Sequence, residues 1–404
     1  MALIVQKYGG TSVGTIDKIK NVAKKVLAVQ AAGNKIVVVV SAMGPATDVL
    51  ISKLKGLTDD YDPREYDALV SIGENESAAL LAQAIIAQGG QAVSLTGWQA
   101  GICTEDEHKK CKITNVKTKR LKKELKAGKI AVVTGFQGLN ITGDITTIGR
   151  GGSDTSAVVI AAALKANVCE IYTDVDGVYT TDPRILPEAR QLDSISHEEM
   201  LEMASLGAGI MHPRAVECAK VNNMNIAVKH SQQAGKGTLI TMVGEKLNTV
   251  SGVAADDDVA KIGLLHVPDT PGMAAALFGA LAEAKVNVDV IVQSIHQTEQ
   301  KNDISFTVSN DDYERALKLT QEKAKSWPGC EVIGNTDVAK VSVVGIGMVS
   351  TPGVAARMFT ALGREKINIQ MISTSEIKIS CIIEQKELKR AVKAVHTEFE
   401  LEKH

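Results

Sequence analysis

Gly149-Arg150-Gly151-Gly152-Ser153-Asp154-Thr155-Ser156, with the apolar run Ala157 to Leu164 directly behind it, is the segment from which this chain is best read. Its glycines let the backbone turn tightly and come close to a ligand. Ser153, Asp154 and Thr155 are helix-capping residue types, and the alanine-rich run after them predicts a helix. A helix start carries unpaired N–H groups and a partial positive charge, which together seat an anion. Arg150 adds a planar cation suited to a bidentate grip on carboxylate or phosphate. Taken alone, the segment serves equally well as a capped turn with a surface arginine.

Upstream, Leu3-Ile4-Val5 reads as a short strand running into Lys7-Tyr8-Gly9-Gly10-Thr11-Ser12-Val13-Gly14. Ile16, Ile19, Val22, Ala23, Val26 and Leu27 follow at helical spacing. In such a strand, glycine loop and helix, backbone N–H groups cradle phosphate while a lysine reaches its outer oxygens. The lysine precedes the glycines, so this is not a Walker A loop. It is not G-x-G-x-x-G either, which removes support from a dinucleotide reading. A plain strand-to-helix turn accounts for the same residues. Lys35 to Val40 is a β-branched run of the kind a fully buried parallel strand shows. Ligands sit at the carboxyl ends of strands in open parallel sheets, which places Ser41 and Thr47 beside one. Thr47-Asp48 equally suits the cap of the next helix. Asp62-Pro63 opens another helix, and Gly73-Glu74 lies at the start of a further one. There Glu74 either complements the helix dipole or pairs with a substrate ammonium.

Between Lys109 and Lys129 the chain is dense in lysine and arginine without an aromatic residue, which makes base stacking implausible and predicts a solvated helical face. Ile130 to Thr134 is a buried-type strand leading into Gly135-Phe136-Gln137-Gly138 and an irregular stretch. Glu170 to Thr173 is another strand, ending in Asp174-Val175-Asp176-Gly177-Val178-Tyr179. The glycine and glutamate positions of a calcium loop are not met here. Asp176-Gly177 suits a hairpin turn; with Tyr179 and Arg184 beyond it, the segment equally suits the wall of a nucleotide pocket. A helix is expected over Glu198 to Ala204, His212 reads as a packed or capping histidine, and Ala227 to Lys229 and Thr238 to Ile240 read as the last strands. This alternation predicts an α/β domain around a parallel sheet.

At 404 residues the chain is long enough for two or three domains. Its 45% hydrophobic and 23% charged residues are those of an ordinary globular protein. A net charge of −2 gives no general attraction to nucleic acid or membrane, and no apolar stretch reaches the length of a membrane span. The six cysteines are scattered without a Cys-x-x-Cys pair, so free thiols in a reducing compartment are expected. With no signal-peptide pattern at Met1 to Val5, a cytoplasmic location is expected.

The tail repeats itself. Thr270-Pro271-Gly272 with Ala274, Ala275, Phe278, Leu281, Lys285, Asn287 and Ile291 returns as Thr351-Pro352-Gly353 with Ala355, Ala356, Phe359, Leu362, Lys366, Asn368 and Ile372. Each copy predicts a strand, a Pro-Gly loop into a helix, a strand beginning at the asparagine, then a further strand and helix. Neither copy clusters acid–base or metal-type residues, so this half reads as a binding module.

Lys7 to Ser12, the Gly73-Glu74 helix start, Arg150 to Asp154 and Thr173 to Arg184, in this order ahead of two small repeats, resemble the aspartate kinase family across essentially the whole chain. The resemblance implies an amino-acid-kinase-like, three-layer parallel-sheet domain over residues 1–245. It also implies a regulatory region over 246–404 with two ferredoxin-like ACT units. The first (about 263–338) is inserted in the second (about 246–262 plus 339–404).

By position, the resemblance puts ATP on Lys7, Tyr8, Gly9, Gly10, Ser12, Thr173, Asp174, Tyr179, Asp182 and Arg184. Aspartate falls among Ser41, Thr47, Glu74, Arg150, Gly151, Gly152 and Ser153, with Lys7 and Asp154 at the transfer site. Mg2+ comes with ATP, without a dedicated protein site. Gly209 stands where the family often has a phosphate-contacting lysine. Lysine or threonine as effector falls near Asp269, Gly272, Met273, Ala274, Asn287, Val288, Asp289 and Gln293, and near Val354, Asn368, Ile369, Ser375 and Glu376. A homodimer or tetramer through the ACT units is implied. A kinase with an acetylglutamate or carbamate acceptor would share the front half, and a non-catalytic amino-acid sensor only the tail.

Overall fold

The structure, a computed structural model, describes residues 1–207, 210–244, 249–296 and 301–403. Two compact units divide the chain. The first takes in Met1–Val178, Gln191–Ser205 and Gly209–Lys246; the second, Tyr179–Arg190, Leu206–Ala208 and Leu247–His404. No described helix is long and apolar enough to cross a membrane.

In the first unit the order is β1 (Leu3–Tyr8), α1 (Ile16–Ala31), β2 (Lys35–Val40), α2 (Ala46–Lys55), α3 (Pro63–Val70), α4 (Ile72–Ala87) and β3 (Ala92–Leu95). Then come β4 (Ile102–Thr104), β5 (Ile113–Val116), α5 (Lys119–Lys126), β6 (Ile130–Thr134), β7 (Gln137–Leu139), β8 (Ile145–Thr147), α6 (Gly152–Leu164) and β9 (Val168–Thr173). The unit closes with β10 (Ser194–Ser196), α7 (His197–Ser205), α8 (Pro213–Val221), β11 (Ile226–His230) and β12 (Thr238–Thr241). An eight-stranded sheet runs β10-β12-β11-β9-β1-β2-β6-β3. It is parallel except that β12 pairs antiparallel with β11, and β10 follows β12. Ile36 to Val40 are all buried, as befits a strand covered on both faces. On one face α1 and α4 close a core of Tyr8, Ile19, Val22, Val26, Val38, Leu81, Ile85 and Val132. On the other lies α6, apolar on all sides and buried along most of its length. This is the expected three-layer α/β domain.

Several local expectations give way. Residues 137–147 are not irregular throughout: β7 and β8 join β4 and β5 in a four-stranded sheet ordered β5-β4-β7-β8. Its strands are too short to show periodicity, and the buried Thr104 and Thr146 hydroxyls satisfy each other at 2.6 Å. The basic stretch 109–129 becomes helical only at Lys119, with Leu121 and Leu125 turned inward. Neither Thr47 nor Ser153, Asp154 and Thr155 caps a helix, because α2 starts at Ala46 and α6 at Gly152. The start of α6 is fixed instead by Gly151, whose φ of +69° favours glycine. Asp176-Gly177 makes no hairpin. Gly177 is required by crowding, since a Cβ there would lie 2.5 Å from the Thr238 hydroxyl.

The second unit contains β13 (Gly252–Asp256), β14 (Ala260–Pro268), α9 (Met273–Glu283), β15 (Ile291–His296), β16 (Lys301–Val308), α10 (Asn310–Ala324) and β17 (Glu331–Asn335). It continues with β18 (Val338–Val344), α11 (Val354–Arg364), β19 (Met371–Thr374), β20 (Lys378–Glu384) and α12 (Leu388–Glu398). Two four-stranded antiparallel sheets result, β15-β16-β14-β17 and β13-β18-β20-β19, so β13 completes the later repeat across the earlier one. The repeated Pro-Gly pair does the same work twice: Gly272 and Gly353 sit at φ +96° and +94° ahead of α9 and α11. Asn287 and Asn368 lie in loops before β15 and β19 rather than at strand starts. Segment 179–190 is knitted into this unit. Thr180 carbonyl accepts from Val253 N–H at 2.7 Å, its hydroxyl meets His396 Nε2 at 2.9 Å, and Ile185 packs on the core of the later repeat.

Candidate active site

The carboxyl ends of β1 and β2, the start of α4 and the loop from β8 into α6 surround a cavity of about 450 Å3 within the first unit. Lys7, Gly10, Ser41, Thr47, Glu74, Arg150, Gly151, Gly152, Ser153 and Asp154 all line it. Alternation along β1 turns Lys7 toward α6, where its ammonium meets Asp154 Oδ1 at 2.6 Å. Asp154 in turn sits in the first turn of α6, where the helix dipole favours a negative charge.

The loops around the cavity depend on the absence of side chains. A Cβ on Gly10 would lie 2.7 Å from Ala42 carbonyl, one on Gly135 2.7 Å from Ser153, and one on Gly151 2.1 Å from His212 Cβ. His212 caps α8, its Nδ1 accepting from Arg214 N–H at 3.3 Å. Burial holds its pKa below the usual value.

Two charges in the cavity lack protein partners suited to them. Glu74 is 4% exposed. Its Oε1 accepts from Ala42 N–H at 3.1 Å, while Oε2 has no hydrogen-bond partner among the described residues. Burial pushes its carboxyl up to about 7. Arg150 is exposed to the cavity and makes no ion pair among the described residues. An anion and a cation left open on one cavity match the two charged groups of a free amino acid.

The remaining expected residues distribute less uniformly. Tyr8 is fully buried, its ring stacked on Tyr172 at 4.6 Å, so only its backbone is available to a ligand. Ser12 is likewise buried, with an unpartnered hydroxyl. Thr173 ends β9, beside β1, and its hydroxyl donates to Oδ1 of Asp174, the next residue, at 3.1 Å. Tyr179, Asp182 and Arg184 belong to the second unit, where the Arg184 fork grips Asp182 at 2.7 to 3.0 Å. Gly209 lies outside the described residues. Ala42, Asp48, Ile51, Tyr66 and Phe136 also line the cavity; Ala42, Asp48 and Phe136 lie close to glycine turns, while Ile51 and Tyr66 had no signal in the sequence.

In the second unit, Asp269 accepts from Asn302 Nδ2 at 2.8 Å, and Gly272, Met273 and Ala274 open α9. Asn287 and Val288 precede Asp289, which pairs with buried Lys340 at 2.5 Å; Gln293 lies on β15. In the later repeat, Val354 opens α11, Asn368 and Ile369 precede β19, and Ser375 and Glu376 separate β19 from β20.

The sequence model of the amino acid kinase family matches residues 2–230, and that of the ACT domain matches 265–323 and 341–399. The aspartokinase of Pseudomonas aeruginosa is 52% identical over 406 residues, covering 100% of this chain and 98% of that protein. Aspartokinase 2 of Bacillus subtilis is 46% identical, covering 100% of this chain and 99% of its own. Among solved structures, E. coli aspartokinase III with aspartate and ADP, in its R-state, aligns with a TM-score of 0.81 at 25% identity, covering 98% of this chain and 99% of that one. The same enzyme with lysine and aspartate, in its T-state, aligns with a TM-score of 0.77 at 25% identity over the same shares of the two chains.

Proposed function

Because this chain belongs to the aspartate kinases of the amino acid kinase family, we propose that its first-unit cavity is where ATP meets L-aspartate, and assign roles to the residues around it. The enzyme transfers the γ-phosphoryl group of ATP to the β-carboxylate of L-aspartate, giving 4-phospho-L-aspartate, the entry to lysine, threonine and methionine synthesis. The observation that carries the site assignment is the pairing of Lys7 with Asp154 on one cavity wall and the open Arg150 and Glu74 on the others.

Arg150 holds the α-carboxylate and Glu74 the ammonium, with Ser41, Thr47 and Ser153 fixing the orientation. The acceptor carboxylate is ionised at neutral pH, so the transfer needs no general base. Alignment and charge neutralisation carry the rate. Lys7 and the N–H groups opening α6 face the migrating phosphoryl group, and Asp154 orients Lys7 through their ion pair. Gly9, Gly10 and the backbone of Tyr8 approach the phosphates, with Thr173, Asp174, Tyr179, Asp182 and Arg184 assigned to the rest of the nucleotide. No cluster of metal-type side chains occurs among the described residues. Mg2+ would be held by the nucleotide phosphates and water, with Asp154 the cavity carboxylate that could join them. When bound it supplies neutralisation of phosphate charge.

Residues 246–404 are assigned to regulation, with lysine, the ligand of the E. coli T-state enzyme, or threonine bound near the two Pro-Gly helix starts. Assembly through the ACT units and a cytoplasmic location complete the reading. Arg150→Ala is expected to raise the KM for aspartate far more than that for ATP in steady-state assays of ADP release. An equal rise in both would remove Arg150 from the amino-acid site.

A further inference from the structure

Arg150 lies on a loop and its side chain has no ion pair or hydrogen bond among the described residues, so something else must aim it. We infer that Asp67, which does not line the cavity, is a positioning residue that sets where Arg150 stands. This inference rests on Arg150 holding the α-carboxylate of aspartate.

Asp67 lies in α3 and is 0% exposed. A carboxylate so placed is tolerated only when its oxygens are well hydrogen-bonded. Here both are used, and the donors come from two separate stretches. Oδ1 accepts from the Thr147 hydroxyl at 2.5 Å and from Lys109 N–H at 3.2 Å. Oδ2 accepts from Lys109 N–H at 3.0 Å and from His108 Nδ1 at 2.8 Å. One side chain therefore ties α3 to the end of β8 and to the 108–109 backbone.

Those two stretches are the ones that shape the arginine loop. Thr147 is the last residue of β8, just ahead of Ile148-Gly149-Arg150. Cys111 N–H donates to Thr147 carbonyl at 3.1 Å, joining the second stretch to the first. Lys109 carbonyl would lie 3.0 Å from a Cβ on Gly149, so the 109–110 backbone is the surface on which the loop rests. On the far side, Arg214 Nη1 donates to Ile148 carbonyl at 3.1 Å. Held at Ile148 and Gly149, the backbone aims an arginine whose side chain makes no ion pair or hydrogen bond among the described residues. Asp67 reaches the cavity wall by a second route as well: Lys109, fixed by its N–H, lies 5.4 Å over the ring of Tyr66, which lines the cavity.

Exchanging Asp67 for asparagine puts an amide donor where only acceptors fit, and Thr147→Val removes one hydroxyl from a buried site without changing its shape. The experiment is a set of steady-state KM and kcat measurements on Asp67→Asn, Thr147→Val, Thr147→Ser, Arg150→Ala and the Thr147→Val/Arg150→Ala double variant. Asp67→Asn is expected to raise the aspartate KM about tenfold, and Thr147→Val about fivefold. ATP KM should stay within about twofold in both, and Thr147→Ser should restore the wild-type aspartate KM. In the Arg150→Ala background, Thr147→Val should add nothing, because the residue it positions is gone. If Asp67→Asn does not fold, the Thr147 variants and the double variant decide. A rise in both KM values together, an unchanged aspartate KM in folded Thr147→Val, or additive effects in the double variant would overturn the inference while leaving the Arg150 reading intact. An unchanged aspartate KM in Arg150→Ala alone would overturn both.

Discussion

Glu74 is the residue whose chemistry departs furthest from its ordinary behaviour in the cavity. Burial raises its carboxyl to about 7, and only its ionised form can hold an ammonium. Below that pH the group is increasingly neutral, so the aspartate KM should rise about fivefold as pH falls from 7 to 6 and level off above about 8. Glu74→Gln should give a high KM that is flat across that range; a retained pH profile in the variant would assign it to another group. The stability sign runs the other way. A carboxyl with a raised folded-state pKa costs stability above that pKa and none below its unfolded value. Glu74→Gln should therefore melt higher than wild type at pH 8 and level with it near pH 4. Lys7→Ala should lower kcat a hundredfold or more, on the order of 3 kcal/mol, as loss of a main electrostatic donor does. Single residues were legible when their type announced the chemistry. Lys7, Glu74 and Arg150 are charges beside glycine turns, whereas Asp67 and Tyr66 gain their places only when distant loops converge, which no local spacing records.

At the scale of elements, α2 has no buried residue although it borders the cavity through Thr47, Asp48 and Ile51. Helices owe most of their stability to a packed face, so its amides should exchange faster than those of α1, α4 or α6 in hydrogen-exchange mass spectrometry. Aspartate with a non-hydrolysable ATP analogue should slow that exchange; no change would leave α2 outside the ligand's reach. The glycine ahead of α6 gives an opposite case. Gly151→Ala adds about 1–2 kcal/mol of left-handed backbone strain to a collision with His212, and should lower Tm together with aspartate affinity. The buried strands and their loops read clearly from sequence because β-branched runs and glycine clusters are strong local signals. The β5-β4-β7-β8 sheet did not, since three- and four-residue strands fall below any period. Expected caps failed for a related reason: Thr47 and Ser153 are the right types, but tertiary packing starts each helix a residue or more earlier.

On the scale of the molecule, the repeat made the second unit readable. Duplicate Pro-Gly pairs predict duplicate helix starts, and Gly272 and Gly353 supply them with nearly the same φ. Saturating lysine, threonine or both should lower the rate or raise a KM; a rate and KM indifferent to all three additions would leave the repeats without their assigned role. Substitution of Lys340 by Met should weaken that response, because it releases Asp289 and Asp256 from the buried cation they share. What the sequence concealed is the path of residues 179–190. They come shortly after β9, yet Thr180 and Ile185 are anchored among β13, α12 and the core of the later repeat. For its own fold, then, a segment to which nucleotide contacts are assigned leans on the half of the protein that carries the repeats. Trimming that half away to obtain an uninhibited catalyst should yield a crippled one, recognisable by a much raised ATP KM beside a nearly normal appetite for aspartate.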